Sequence, residues 1–321
     1  MMYDRRFFLA SAAAAALAPH LARAADQAPL RMVVPFSAGS GADILARVLA
    51  DAITTGTGRA VVVDNKAGAG GVIGALEVAR ARPDGNTVLY TTGGFTTNAV
   101  LMKKLPFDPV ADFTPISRVT RASGFALLVS EKSPYKTLHD FVADAMKRPG
   151  RVTYGSSGIG NTTHVIGALF CKGVGVDLLH IPFKGTPFTD LIAQTVDSAF
   201  VSPSLAAQQI RSGQLRALGI SGDVRSSLLP DTPTFAEAGY KVQDIPAWSG
   251  VWGPGRMTPA AVQSVYAALA KVAKAPAIEK YMRESGGEPE ALPPAAFEAY
   301  VTSEIERYRR VLPPLGIELG A

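Results

Sequence analysis

Short apolar runs alternate with amphipathic helical patterns along most of this chain. The first apolar run spans residues 32–36 and is followed at once by a helical pattern. That pattern places one apolar stripe on a single helix face: Ile44, Leu45, Val48, Leu49 and Ile53. Repeated strand–helix units of this kind favour mostly parallel strands covered by helices. The sequence therefore predicts an α/β fold.

A unit of strand, Gly/Ser loop and helix occurs near the start of the chain and again in its middle. The later copy reads "VTYGSSGIGNTTHVIGALFCKG", from Val152 to Gly173. We predict two domains, the first begun by residues 25–122 and the second formed by residues 123–222. Residues 223–321 then return to the first domain. Two crossings of the domain boundary predict a hinge.

The N-terminus has the pattern of a secretory signal. It has a basic start, an apolar run over residues 7–18, and the small-x-small sequence Ala22-Arg23-Ala24. We predict cleavage near Ala24 and export to the periplasm. The pair Arg5-Arg6 resembles a twin-arginine signal. A Sec route and a retained anchor helix stay open as alternatives.

Charge and cysteine content exclude several classes of protein. The net charge of +5 is mild, and the Lys and Arg residues are scattered rather than clustered. This pattern lacks the basic face of a nucleic-acid binder. A single cysteine, Cys171, excludes an intrachain disulfide. The histidines are isolated in sequence, without the spacing of zinc ligands, so we predict no metal and no cofactor.

The loop "SAGSGAD" joins the first strand to the first helix. Backbone amides and a helix N-terminus of this kind suit an anionic group. The loop lacks the Gly-Lys-Ser/Thr ending of a phosphate-binding loop, and Gly39 and Gly41 lack the spacing of a dinucleotide fingerprint. A tight turn without a ligand remains an alternative. The later loop adds hydroxyl and amide groups: Ser156, Ser157, Asn161, Thr162 and Thr163. Two helix N-termini in one cleft predict a ligand with anionic groups at both ends.

Signals of catalysis are weak. Neither Ser156 nor Ser157 lies in a Gly-x-Ser-x-Gly elbow, and His164 falls in the first turn of a helix, where packing or capping is the commoner role. We predict that the protein is not an enzyme, with a serine-dependent periplasmic hydrolase as the alternative. Lys184 in "IPFKG" follows a strand and is predicted to face the cleft.

Motifs along nearly all of the mature chain resemble the Bug family, the periplasmic solute-binding proteins of tripartite tricarboxylate transporters. They include "VVPFSAGSGADILAR", "DNKAGAGGVIGALEVARARPDG", "LPFDPVADFTPIS", "IPFKGTPFTDLIAQTVD" and "LPDTPTFAEAGY". The resemblance implies a two-domain Venus flytrap of the type 2 periplasmic-binding-protein fold. It also implies a monomer that captures a small organic acid between the domains and delivers it to the membrane components of a transporter. A role as the ligand-binding partner of a sensor kinase is the alternative.

The resemblance further implies that the ligand carboxylate sits on the first loop, held mainly by backbone N–H groups and ordered waters. The positions carried over are Phe36, Ser37, Gly39, Ser40, Gly41, Ala42 and Asp43 in that loop, Ala69, Gly70 and Thr97 in two further turns, and the five hydroxyl and amide residues of the later loop. The family usually reads Pro-Phe-Pro-Pro-Gly-Gly where this chain reads Pro35-Phe36-Ser37-Ala38-Gly39-Ser40. We expect the ligand specificity of this chain to depend first on the residues of this loop that differ from the family pattern.

Overall fold

The computed structural model describes residues 28–317, apart from residues 103, 123, 160–161, 184 and 223. The predicted signal segment lies outside these residues. The strands, in chain order, are β1 (Leu30–Val34), β2 (Val61–Asn65), β3 (Thr87–Thr92), β4 (Phe113–Ala122), β5 (Ala126–Ser130), β6 (Thr153–Ser156), β7 (Leu179–Pro182), β8 (Ser198–Val201), β9 (Leu215–Ile220), β10 (Ala247–Pro254) and β11 (Gly287–Pro289).

Helices connect and cover these strands. They are α1 (Gly41–Thr57), α2 (Val72–Ala79), α3 (Gly94–Leu101), α4 (Leu138–Lys147), α5 (Thr162–Val174), α6 (Phe188–Ile192), α7 (Pro203–Arg211), α8 (Pro259–Val272), α9 (Pro276–Ser285) and α10 (Pro294–Val311). Short 3-10 turns lie at Ala69–Gly71 and Pro313–Leu315. None of these described helices is both long enough and apolar enough to cross a membrane.

The strands form two mixed sheets, which confirms the predicted two-domain α/β architecture. The first sheet has the order β11-β4-β10-β3-β1-β2, and the second has the order β7-β6-β8-β5-β9. The pairings give four of six strands a common direction in the first sheet and four of five in the second. β5 is the first strand after the chain passes from the first sheet to the second, and β10 is the first strand after it returns. Each runs antiparallel to both of its neighbours in the sheet.

Helices cover both faces of the first sheet, and β1 is apolar on both faces except at Arg31. Met32 and Val34 face a core built with α1, α8 and α9, whereas Val33 faces a second core built with α2 and α10. Strands buried on both faces have this continuous apolar sequence. The sheet is therefore a rigid support for the loops that follow its strands.

The chain between β9 and β10 packs on the second sheet. Thr234 forms a bridge with Ile220 of β9, and Phe235 and Ile245 belong to the core of the second domain. Helix α10 contributes to both domains, since Val301 and Ile305 lie in a first-domain core whereas Tyr308 lies in that of the second. The two domains are thus joined by the chain crossings and by this helix.

Candidate functional site in the cleft between the sheets

A cavity of about 460 Å³ lies between the two domains. Its first-domain wall comes from the end of β1, the glycine turn before α2, the start of α3 and the segment after α3. Its second-domain wall comes from Ser157, Ile159 and Thr162. The cavity collects six of the residues predicted for the site: Phe36, Ser37, Gly70, Thr97, Ser157 and Thr162.

The loop between β1 and α1 is held by a buried carboxylate. Asp43, which is 2% exposed, accepts hydrogen bonds from Gly39 N (2.8 Å), Arg47 Nε (3.1 Å) and Asn65 Nδ2 (2.8 Å). The hydrogen bond from Arg47, together with those from Gly39 and Asn65, lowers the pKa of Asp43 to about 2 despite burial. Ser40 caps α1 by accepting from Asp43 N (3.3 Å). The loop is therefore closed on itself.

This closure decides which loop residues face the cavity. Phe36 and Ser37 line it, whereas the stretch from Gly39 to Asp43 does not. The amide of Gly39 is already committed to Asp43, and the amide of Ser40 donates to Ser37 O. The carbonyl of Gly41 accepts from the Tyr281 hydroxyl. In this arrangement, the loop takes its shape from Gly39, Ser40, Gly41, Ala42 and Asp43. The part of the loop that lines the cavity is Phe36 and Ser37.

The turn "AGAGG" before α2 needs backbone conformations that favour glycine. Gly68, Gly70 and Gly71 have φ angles of 134°, 64° and 97°. Ala69 has φ 46°, a left-handed conformation that is uncommon for a residue with a side chain. Asn98 Nδ2 of α3 donates to Gly70 O (2.8 Å) and fixes the turn against α3. Gly70 lines the cavity and Ala69 does not.

The remaining first-domain wall was only partly predicted. Thr97 is 3% exposed and donates through its hydroxyl to Gly94 O (3.0 Å). Phe95 lines the cavity and packs in a first-domain core. Leu105 and Phe107 also line the cavity, and sequence reasoning missed them. Both residues lie in the family motif "LPFDP", which the sequence showed, but nothing in the motif itself indicated that it lines the site.

In the second domain, a buried serine organises the loop. Ser156, fully buried, has its Oγ 2.6 Å from Nε2 of His180, and it also donates to Gly158 O (3.1 Å) and accepts from Gly158 N (3.2 Å). Thr163 Oγ1 accepts from Ser157 N (2.9 Å). Ser156 and Thr163 therefore position the loop, and Ser157 and Thr162 face the cavity. The predicted site residues Asn161 and Lys184 lie outside the described residues.

His180 belongs to a pair of stacked imidazoles. The rings of His164 and His180 lie 3.8 Å apart between centroids, at an angle of 5°, with Tyr154 beside them. Burial, with the nearby His180, lowers the pKa of His164 to about 4, and burial also lowers the pKa of His180. Both rings are therefore neutral near pH 7. Sequence reasoning assigned a packing or capping role to His164 but did not detect its pairing with His180.

Among the described residues, no group of His, Cys, Asp or Glu is arranged to hold a metal ion. Cys171 is a free thiol whose pKa is raised by burial to about 11, so it stays protonated at neutral pH. The described wall of the cavity offers hydroxyl, amide and backbone groups beside apolar side chains. Such a wall suits the binding of a small molecule.

Comparison with known proteins agrees with this geometry. The family model of the tripartite tricarboxylate transporter family receptor matches residues 45–317. The chain belongs to this family. The match begins inside α1, just after the loop in which this sequence departs from the family pattern.

Solved structures of Bug and related receptors share the fold. The periplasmic binding protein BugD is 33% identical, with a TM-score of 0.77 over 90% of this chain and 98% of its own. MatC of Rhodopseudomonas palustris with bound malate is 27% identical, with a TM-score of 0.76 over 88% and 98% of the two chains. R. palustris Rpa4515 with adipate is 30% identical, with a TM-score of 0.79 over 90% and 98%. The predicted family and its two-domain periplasmic-binding-protein architecture are thereby confirmed.

Proposed function

We propose that this protein is an exported receptor that captures a small carboxylate between its domains and delivers it to the membrane components of a tripartite tricarboxylate-type transporter. The observation that carries the proposal is the cavity of about 460 Å³ lined from both domains. Related receptors hold malate and adipate. Backbone and hydroxyl donors at loop ends bind a carboxylate strongly when water is excluded. The description of the family supports delivery to a transporter, and a sensor-kinase partner remains the alternative.

The domain arrangement supports capture by closure. In this proposal the chain leaves the first domain after Ala122, as the sequence predicted, and returns to it immediately before Ala247, because Phe235 and Ile245 pack in the second core. Residues 224–246 would therefore move with the second domain, whereas the sequence assigned them to the first. Closure about these two crossings would bring Ser157 and Thr162 towards Ser37 and Gly70.

The test is a thermal-shift assay with a panel of mono-, di- and tricarboxylates. At least one acid is expected to raise the melting temperature, since a ligand that binds only the folded state stabilises it. Ser157→Trp fills the cavity and is expected to abolish the shift, whereas Ser204→Trp, at an exposed position on α7, is expected to retain it. Absence of a shift with every acid would contradict the proposal.

A serine hydrolase is the alternative that one observation favours, the 2.6 Å separation between Ser156 Oγ and His180 Nε2. A nucleophile and its base lie at such a distance. Ser156 is fully buried, however, and its hydroxyl is engaged with both polar backbone atoms of Gly158. We therefore propose that the protein binds its ligand without converting it. Turnover of p-nitrophenyl acetate that disappears in Ser156→Ala would reverse this conclusion.

A further inference from the structure

One side of the cavity is apolar and rigid. Phe95, Leu105 and Phe107 line it together with Val72 and Ala75. The rings of Phe95 and Phe107 are nearly parallel, at 12°, with centroids 6.3 Å apart. Phe95 is 7% exposed, so its ring is fixed by the core behind it.

That core contains further aromatic rings beside aliphatic side chains. Phe113 meets Phe95 edge-on at 5.0 Å, and Trp252 lies 5.2 Å from Phe95 between centroids. A ring packed in this way offers a preformed surface to another ring, with edge and face contacts that aromatic groups prefer. This side of the cavity therefore favours a flat apolar group.

Two polar side chains beside this surface are partly committed to the backbone. Thr97 donates its hydroxyl proton to Gly94 O, and Asn98 donates one N–H of its amide to Gly70 O. The Thr97 hydroxyl keeps only oxygen lone pairs, which repel a carboxylate, and Asn98 keeps one N–H beside its amide oxygen. Among the described residues, none of the side chains that line the cavity is charged. A second carboxylate placed here would be desolvated without a cation to offset that cost.

We propose that the ligand is an aromatic monocarboxylate, with its ring on Phe95, Leu105 and Phe107 and its single carboxylate towards Ser37 and the second-domain loop. This inference rests on the proposed function and narrows its ligand class. It also departs from the sequence-level expectation of a ligand with anionic groups at both ends. Malate and adipate, held by related receptors, each carry two carboxylates, and we expect this chain to bind them weakly.

Calorimetric titration of the purified protein tests the inference with three probes: 3-phenylpropionate, adipate and 3-phenyl-1-propanol. The phenylpropionate is expected to bind at least about tenfold more tightly than adipate, because only its ring matches the aromatic surface. The alcohol, which keeps the ring and lacks the carboxylate, is expected to bind more weakly than the phenylpropionate.

Variants of the cavity wall sharpen the test. Phe107→Ala is expected to weaken phenylpropionate binding by about tenfold and to leave adipate binding unchanged. Leu105→Arg introduces a cation on the apolar side and is expected to reverse the preference in favour of adipate. Val110→Ala, at an exposed site in the same segment, is the matched control and should change neither affinity. Melting temperatures of all variants would show that each one is folded.

The outcomes separate this inference from the proposed function. Tighter binding of adipate or malate than of the phenylpropionate would overturn the inference and leave carboxylate capture intact. An alcohol that binds as tightly as the acid, or no binding of any carboxylate in the panel, would overturn both. An unchanged preference in Leu105→Arg, with the protein folded, would also overturn the assignment of the ring to that side.

Discussion

The two loops that face each other across the cleft are built in the same order but held by different chemistry. The first is closed by the ionised carboxylate of Asp43, which accepts from Gly39, Arg47 and Asn65. The second is closed by the neutral hydroxyl of Ser156, which contacts His180 and Gly158. A buried charge needs several hydrogen-bond partners, whereas a buried neutral hydroxyl needs fewer.

This difference gives the two loops different responses to acid. Asp43 has its pKa lowered from 3.8 to about 2, so its contribution to stability is complete above pH 3.8 and is lost as the pH falls towards 2. Burial lowers the pKa of both imidazoles behind the second loop, and His164, with a pKa of about 4, titrates at higher pH than Asp43. One side of the cleft is therefore resistant to mild acid, and the other is sensitive to it.

The largest expected effect comes from removing the charge of the first loop. Asp43→Asn keeps the size of the side chain but weakens the contact with Arg47 and turns an amide donor towards neighbouring donors. We expect a loss of about 3 kcal/mol in the free energy of unfolding, measured by urea titration. Asp51→Asn, at an exposed position on the same helix, should cost less than about 0.5 kcal/mol. Equal losses in the two variants would refute the role assigned to Asp43.

Removal of the hydroxyl in the second loop is expected to cost less. Ser156→Ala leaves His180 Nε2 and the backbone of Gly158 without their partner, and we expect a loss of about 2 kcal/mol in the free energy of unfolding. Ser157→Ala is the matched control, because Ser157 uses its backbone N–H rather than its side chain to hold the loop. Urea titration should show it within about 0.5 kcal/mol of the parent protein.

Mild acid is expected to destabilise the protein through the imidazole pair. His164 has its pKa lowered from 6.5 to about 4. The unfolded chain therefore takes up a proton between pH 6.5 and pH 4 that the folded protein does not, and stability falls as the pH is lowered through that window. Above pH 6.5 this pair adds no pH dependence.

We expect this to lower the free energy of unfolding by about 1 kcal/mol between pH 7 and pH 5, or roughly 3 °C in melting temperature. His164→Phe keeps an aromatic ring in the stack and removes the titration, so its melting temperature should depend less on pH. His139→Asn, at an exposed position on α4, should retain the dependence of the parent protein. The same pH slope in all three proteins would contradict this account.

The smallest expected effect concerns the departure of the first loop from the family pattern. Ser40 caps α1, and glycine, the family's usual residue at this position, is nearly as good at a helix N-cap. Ser40→Gly should therefore cost only about 0.3 kcal/mol, and Ser40→Ala about 1 kcal/mol. Thermal unfolding of the two variants would show whether glycine is better tolerated than alanine, and the reverse order would count against the capping role.

Local patterns were enough to predict β1, α1, the later unit that contains β6 and α5, and the two loops, because apolar periodicity and glycine position are properties of neighbouring residues. Partners distant in sequence could not be predicted in this way. His180 lies 24 residues from Ser156, and the apolar cavity wall depends on packing of Phe95 in α3 against Trp252 in β10. The role of Asp43 shows the same limit, since Asn65 reaches it from β2. Its spacing to Arg47 was visible in the sequence, whereas its burial was not.

Helix α10 has a mechanical consequence for the motion of the domains. Its middle turns, with Val301 and Ile305, are embedded in the first domain, and its last turn, with Tyr308, is embedded in the second. Arg307 also donates to Asp244 O in the segment before β10. A stiff helix anchored at both ends would resist sliding of one domain past the other. In the proposed closure, the domains would therefore rotate about the two chain crossings and about the C-terminal turn of α10, which is bonded to the second crossing.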